Sequence, residues 1–284
     1  MKRTTRESNS VSRGWFLETS VPRKLLFGHS LLKEEILKHL RGTDRWSSYY
    51  VLMEFKRSVV KTLIDLYFVV LEENNPGDAL LYFSEGFMIR QNKIILSAIG
   101  EWLKESDIAN DKKRFLLKLE TLIVETFQYL DDIIIGYVEN RTHCQLAKAA
   151  IKEEATKKES YERFSKEIDC RTQCSIEKFW QYNKSQLKRL VKEGEKDSHT
   201  GNKGFQKTLS LVKSVIGNVG LLKAKRNCMS VGDVIIALEM PKDLRMLTFD
   251  KAFDSICGIL GKEVTVLPSL MAVKKSIASM TPPS

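Results

Sequence analysis

In "SLLKEEILKHL" (30–40), Leu31, Leu32, Ile36, Leu37 and Leu40 share one side of a 3.6-residue repeat and predict a helix, stopped at Gly42. A second helical stripe, Val51, Leu52, Phe55, Val59, Leu63, Leu66, Tyr67 and Val70, predicts a long helix over about 51–72. Four shorter apolar runs lack this period. "WFL" at 15–17, "DRWSSYY" at 44–50, "LRMLTFD" at 244–250 and "EVTVLPS" at 263–269 read as short buried strands. Two helices are predicted beside the later pair. "SVGDVIIALEMP" begins one near Ser230 that Pro241 ends, and "KAFDSICGILG" closes another at Gly261.

Between these α/β segments the pattern is helical. "NNPGD" (74–78) punctuates the chain, and from Ala79 to about Gln186 only helices are expected, over 80–103, 111–138, 148–166 and 176–191. Residues 192–204 are polar and read as a linker, and 210–222 are ambiguous. Residues 1–13 are polar and expected to be disordered. The expected organisation is one α/β domain in two sequence halves, 14–76 and 205–270, interrupted by an all-helical insertion, 77–204, with a tail at 271–284. Strand–helix alternation predicts a central parallel β-sheet with helices on both faces, a three-layer α/β/α arrangement. In such sheets, sites lie beyond the carboxyl ends of the strands.

That edge collects acids. Glu18 ends the first strand and Asp250 ends "LTFD"; Asp233 opens a helix, and Glu54 lies early in the long one. Strand C-termini and helix N-termini meet on one edge of a parallel sheet, so all four carboxylates are expected there. Clustered carboxylates repel each other until a cation neutralises them. Oxygen-only ligands select hard ions, Mg²⁺ or Mn²⁺, which can lower the pKa of a water and stabilise a phosphoryl transition state. Each acid also has a plainer reading. Asp233 lies three residues after Ser230, as in a capping box. Asp250 is placed to cap the following helix. Glu54 fits a solvated helix face, and Glu18 a loop. Asp254, one turn after Asp250, ranks second and is better read as solvated.

Charge adds a partner. The chain carries a formal +10 with a pI near 9.2, which favours a polyanion, most often nucleic acid. Arg23 and Lys24 follow Glu18, and Lys56 and Arg57 follow Glu54, so all four are candidate phosphate contacts. Five cysteines, an odd number without paired spacing, point to reduced thiols and a cytoplasmic protein. Cys170 and Cys174, with His143 and Cys144 upstream, lack the second pair that a zinc site needs. "GNKG" at 201–204 lacks the helices of an RNA-clamping loop. No apolar stretch is long enough to span a membrane. No Gly-rich phosphate loop, HExxH or nucleophile elbow is present.

On the stretches "WFLETS", "SSYYVLMEFKRS", "GDVIIALEMPKDLRMLTFDKAF" and "GKEVTVL", the chain resembles the PIN-domain nucleases. The resemblance covers roughly 140 residues at the two ends and not the helical middle. It implies a five-stranded parallel sheet and a metal-dependent ribonuclease, often the toxin of a toxin–antitoxin pair. It carries four acidic positions onto Glu18, Glu54, Asp233 and Asp250 as ligands of Mg²⁺ or Mn²⁺. Thr19 and Thr248 are then hydroxyls that orient those carboxylates. The implied partners are RNA and an antitoxin or other protein, with a homodimer allowed and no membrane. This chain departs from the family at Glu18, where an Asp is usual. An inactive PIN-like RNA-binding or protein-interaction module is the alternative, and a purely helical scaffold is a third reading that requires the strands to be absent.

Overall fold

Gly14–Leu17 forms β1, and the chain turns directly into helix α1, Ser20–Phe27. No periodic signal marks α1, because Pro22 suggests a break. Pro22 is the third residue of the helix, where a backbone N–H has no intrahelical partner to lose. Helix α2, Ser30–Leu40, follows as expected, and Gly42 ends it with a positive φ of 67°. β2, Asp44–Ser47, then leads through the Ser48 cap into α3, Tyr49–Phe55. A π-helical turn, Lys56–Val60, joins α3 to α4, Lys61–Glu72. The computed structural model describes residues 14–86, 92–170, 174–196 and 203–280. The expectation of disorder at 1–13, and part of the 192–204 linker with its "GNKG", lie outside them.

The middle of the chain forms α5 (Pro76–Gly86), α6 (Asn92–Gly100), α7 (Ser106–Ala109) and α8 (Lys112–Ile133). The helix expected to run on to 138 stops at Ile133, and Gly136–Tyr137 becomes the edge strand β3, parallel to Trp46–Ser47 of β2. This corrects the all-helix reading of 79–186. The cause is tertiary: a Cβ on Gly136 would lie 2.5 Å from the Trp46 ring, so only glycine lets the edge strand close on β2. Then come α9 (Lys157–Glu167), α10 (Ile176–Tyr182), α11 (Lys184–Gly194) and α12 (Lys203–Gly217). The ambiguous 210–222 region is therefore helical.

Helices α13 (Lys225–Ser230) and α14 (Gly232–Glu239) precede β4, Arg245–Thr248. Helix α15, Ala252–Leu260, is closed by Gly261 at φ 69°, and β5 spans Val264–Val266. The residues expected as a tail form α16, Leu270–Met280. The five strands lie in the order β3-β2-β1-β4-β5, and every pairing is parallel.

Side chains alternate along the strands, so the sheet feeds two cores. Leu17 and Leu247 enter one with α1, α2, α4, α8 and α9; Phe16 and Met246 enter the other with α10, α11, α14 and α15. The protein is therefore an α/β fold, about 70 % helical, with helices on both faces of a small parallel sheet. The helices of 77–204 contribute to both cores and, through β3, to the sheet. Among the described residues no helix is long and apolar enough to cross a membrane.

Candidate active site at the carboxyl edge of the sheet

β1 and β4 are neighbours, with Leu17 opposite Leu247, so the residues that follow them emerge side by side. Glu18 is 7 % exposed and does not face water. Its Oε2 accepts hydrogen bonds from the Ser20 N–H at 3.0 Å, from the Ser20 hydroxyl, and from the Thr248 hydroxyl at 2.9 Å. Thr248 in turn accepts the Asp250 N–H at 2.9 Å, and Ser20 Oγ accepts the Phe249 N–H at 3.1 Å. The two strand ends are thus stitched by a closed set of side-chain bonds.

Glu54 reaches the same place from α3. Its Oε2 accepts the Thr19 hydroxyl at 2.6 Å, so Thr19 holds Glu54 while Thr248 holds Glu18. Its Oε1 faces α14, where a Cβ on Gly232 would stand 3.0 Å away and 3.4 Å from the Tyr50 ring. The adjacent Asp233 has neither a hydrogen bond nor an ion pair among the described residues. The capping-box reading fails: Val231 occupies the cap without a side-chain bond, and the Ser230 hydroxyl donates to Arg226 O. Asp250 is exposed; Lys251 occupies the cap position of α15 without a side-chain cap bond, and Asp250, one residue earlier, accepts the Ala252 N–H through Oδ1 at 2.8 Å.

The charges of Glu18, Glu54 and Asp250 all reach Asp233. Burial, followed by the charges of Glu54, Asp250 and Glu18, pushes Asp233 well above the usual carboxylate range. Burial pushes Glu54 up to about 7; Glu18 adds to this, while Thr19, Arg23 and Arg57 oppose it. Burial also raises Glu18 despite its bonds to Ser20 and Thr248 and the charge of Arg23. None of the four carboxylates is in an ion pair among the described residues. Asp254 is not part of the group. It is exposed, and lines a surface depression with Arg189, Glu193 and Lys196.

The basic candidates separate. Arg23 and Arg57 act on Glu54 through space, and neither side chain has a hydrogen bond or ion pair among the described residues. Lys24 lies over the Phe249 ring, 3.7 Å from its centroid. Lys56 is a correction. It is 8 % exposed, and its ammonium donates to Ala147 O at 2.6 Å and Ala149 O at 2.7 Å, so it ties the π-helical turn to the chain beyond β3 instead of reaching a phosphate. Searches against family models, curated proteins and solved structures find no match to this chain.

A divalent cation suits this donor set by chemistry: every group is an oxygen, the group repels itself, and Asp233 has no other partner among the described residues. Among the described residues, no three His, Cys, Asp or Glu side chains already surround a common point. The hydrogen bonds of Glu18 account for part of this, because three donors converge on its Oε2. Sequence reasoning missed Ser20, Tyr50 and Gly232. Ser20 carried a signal, since a hydroxyl and an N–H two residues after an acid can both donate back to its carboxylate. Tyr50 and Gly232 carried none, because their roles depend on packing between α3 and α14.

Proposed function

We propose that the chain is a metal-dependent endoribonuclease of PIN-like type that hydrolyses RNA phosphodiester bonds with water as the nucleophile. The observation that carries this reading is that the charges of Glu18, Glu54 and Asp250, from three separate elements, all act on Asp233, partly buried and unpaired among the described residues, near the carboxyl ends of β1 and β4, and Glu18 acts on Glu54 as well. Glu54, Asp233 and Asp250, with Glu18 beside them, would hold Mg²⁺ or Mn²⁺. The ion, when bound, supplies charge neutralisation and Lewis acidity at the scissile phosphate. The protein's own groups do the rest. Thr248 and Ser20 fix Glu18, Thr19 fixes Glu54, and Arg23 and Arg57 supply positive charge for the RNA backbone. An antitoxin or other protein that covers this edge, or a second copy of the chain, is the partner class the PIN-like resemblance brings.

The test is cleavage of a mixed RNA pool by purified protein with Mn²⁺. Cleavage abolished by EDTA and by Asp250→Asn supports the reading; cleavage that survives both overturns it. One observation favours a second reading, a non-catalytic RNA-binding or protein-interaction module: Glu18, longer by a methylene than the usual Asp, has an oxygen engaged by three donors. RNA binding without cleavage under Mg²⁺ or Mn²⁺ would select it.

A further inference from the structure

Four of the five cysteines, spread over residues 144–228, lie on segments that pack beside one another. Cys144 precedes the 3-10 turn Gln145–Lys148, Cys170 follows α9, Cys174 precedes α10, and Cys228 lies in α13. Two contacts bring these segments together. The Ser175 N–H donates to Thr142 O at 2.8 Å, which sets the Cys174 segment beside that of Cys144. The ion pair of Lys225 with Asp169 sets Cys170 beside the helix of Cys228. The thiols fall within each other's fields: Cys144 senses Cys174, Cys228 and Cys170, and Cys228 senses Cys174 and Cys170. Cys257 stands apart, buried in α15.

We infer that Cys144, Cys170, Cys174 and Cys228 bind one zinc ion as four thiolates. The donor set is all sulfur, which selects a soft or borderline ion in tetrahedral geometry, and the Cys170–Cys174 spacing is that of a zinc-binding pair. The second pair that the sequence lacks comes from Cys144 and Cys228, more than fifty residues away from one another. The surroundings suit thiolates. Backbone N–H groups two residues on, at Leu146 and Ile176, point at the sulfurs of Cys144 and Cys174, and the charge of Arg57 acts on Cys228. Without an ion, burial holds Cys144 up to about 12 and Cys228 to about 11, so ligation must displace protons. No three of the sulfurs surround a common point in this structure, so binding draws the four segments inward. The site adjoins the acidic edge without sharing a ligand. The Tyr50 hydroxyl lies 3.7 Å from Cys228 Sγ, and its ring packs toward Gly232.

The test is elemental analysis of the full chain, expressed with zinc and purified without chelator, followed by cobalt substitution. One zinc per chain, released by a mercurial thiol reagent, and an intense thiolate-to-cobalt charge-transfer band support the site. Cys174→Ser and Cys228→Ser should lose both zinc and band, and Cys257→Ser should keep both. Should the serine variants fail to fold, chelation and readdition of zinc to the unaltered chain, read by thermal melting, decides: recovery of the melting temperature supports the site and no change overturns it. Asp233→Asn should leave the cobalt band intact, which separates this site from the carboxylate site. Absence of zinc with all thiols titrating freely, a Cys170–Cys174 disulfide, or iron with acid-labile sulfide in place of zinc overturns the inference.

Discussion

The Thr248 hydroxyl donates to Glu18 Oε2 at 2.9 Å across 230 residues of sequence. The Thr248 Oγ1 also accepts the Asp250 N–H, so one side chain places two acids. Thr248→Val keeps the shape and removes the hydroxyl, leaving a buried carboxylate and an N–H short of a partner. The expected loss is about 1–3 kcal/mol of stability by urea denaturation, with Thr248→Ser close to the parent. An unchanged midpoint in the valine variant would show that Thr248 does not hold the edge together.

Stability should fall with rising pH in metal-free protein. Burial raises Glu54 from an ordinary 4.5 to about 7, and raises Glu239 likewise to about 7. A carboxyl with a raised folded value keeps a proton that the unfolded chain has released. Its contribution is full below pH 4.5 and is lost as pH rises through about 7. The slope in that window is up to about 1.4 kcal/mol per pH unit for each group. Mn²⁺ added above pH 7 should restore the share that belongs to Glu54 and Asp233, read as a rise in melting temperature.

Glu239 should not respond to Mn²⁺. It is 3 % exposed, at the far end of α14, and neither carboxylate oxygen has a hydrogen-bond partner, although Ser48, Thr142 and Arg141 lie near enough to moderate its charge. Glu239→Gln should therefore stabilise the protein above pH 7 and flatten the part of the pH profile that metal leaves unchanged. A destabilised Gln variant at that pH would show that the carboxylate is held by bonds the structure does not contain.

Gly232→Ala should separate folding from function. The new Cβ would stand 3.0 Å from Glu54 Oε1, and a carboxylate can swing away at small cost. The gain in helix propensity offsets that cost, so stability should stay within about 1 kcal/mol. Displacing Glu54 should nonetheless lower Mn²⁺ affinity and RNA cleavage about tenfold or more. Equal activity in the two proteins would remove Glu54 from the site.

Lys56 and Arg57 are adjacent and should behave in opposite ways. Lys56→Ala strands the Ala147 and Ala149 carbonyls and should cost roughly 2 kcal/mol or more, with no effect on the salt dependence of RNA binding. Arg57→Ala should weaken RNA binding and lower its salt slope by about 0.7. Filter binding over a salt series distinguishes the two.

The strands β1, β2, β4 and β5 were legible because short apolar runs without helical period sit between turn signals. The adjacency of Glu18 and Asp250 followed from the parallel sheet. β3 was not legible: "DDIIIGYV" continues the apolar stripe of α8, and only pairing with Trp46 and Ser47 makes Gly136–Tyr137 extended. Local sequence also could not show that Thr19 serves Glu54 rather than its neighbour Glu18, because that choice depends on where α3 docks. The cysteines illustrate the same limit, since Cys144 and Cys228 lie 84 residues apart in sequence, one inside the helical middle and one in the α/β half after it.

The central strand pair β1 and β4 has a consequence during synthesis. Glu18 leaves the ribosome early, yet its partner Thr248 lies 230 residues later. At ordinary elongation rates that is roughly 10–50 s in which β1 has no β4 beside it. The growing chain exposes an unpaired strand edge through that interval, an invitation to chaperones and to aggregation. The acidic group itself assembles only when β4 arrives beside β1.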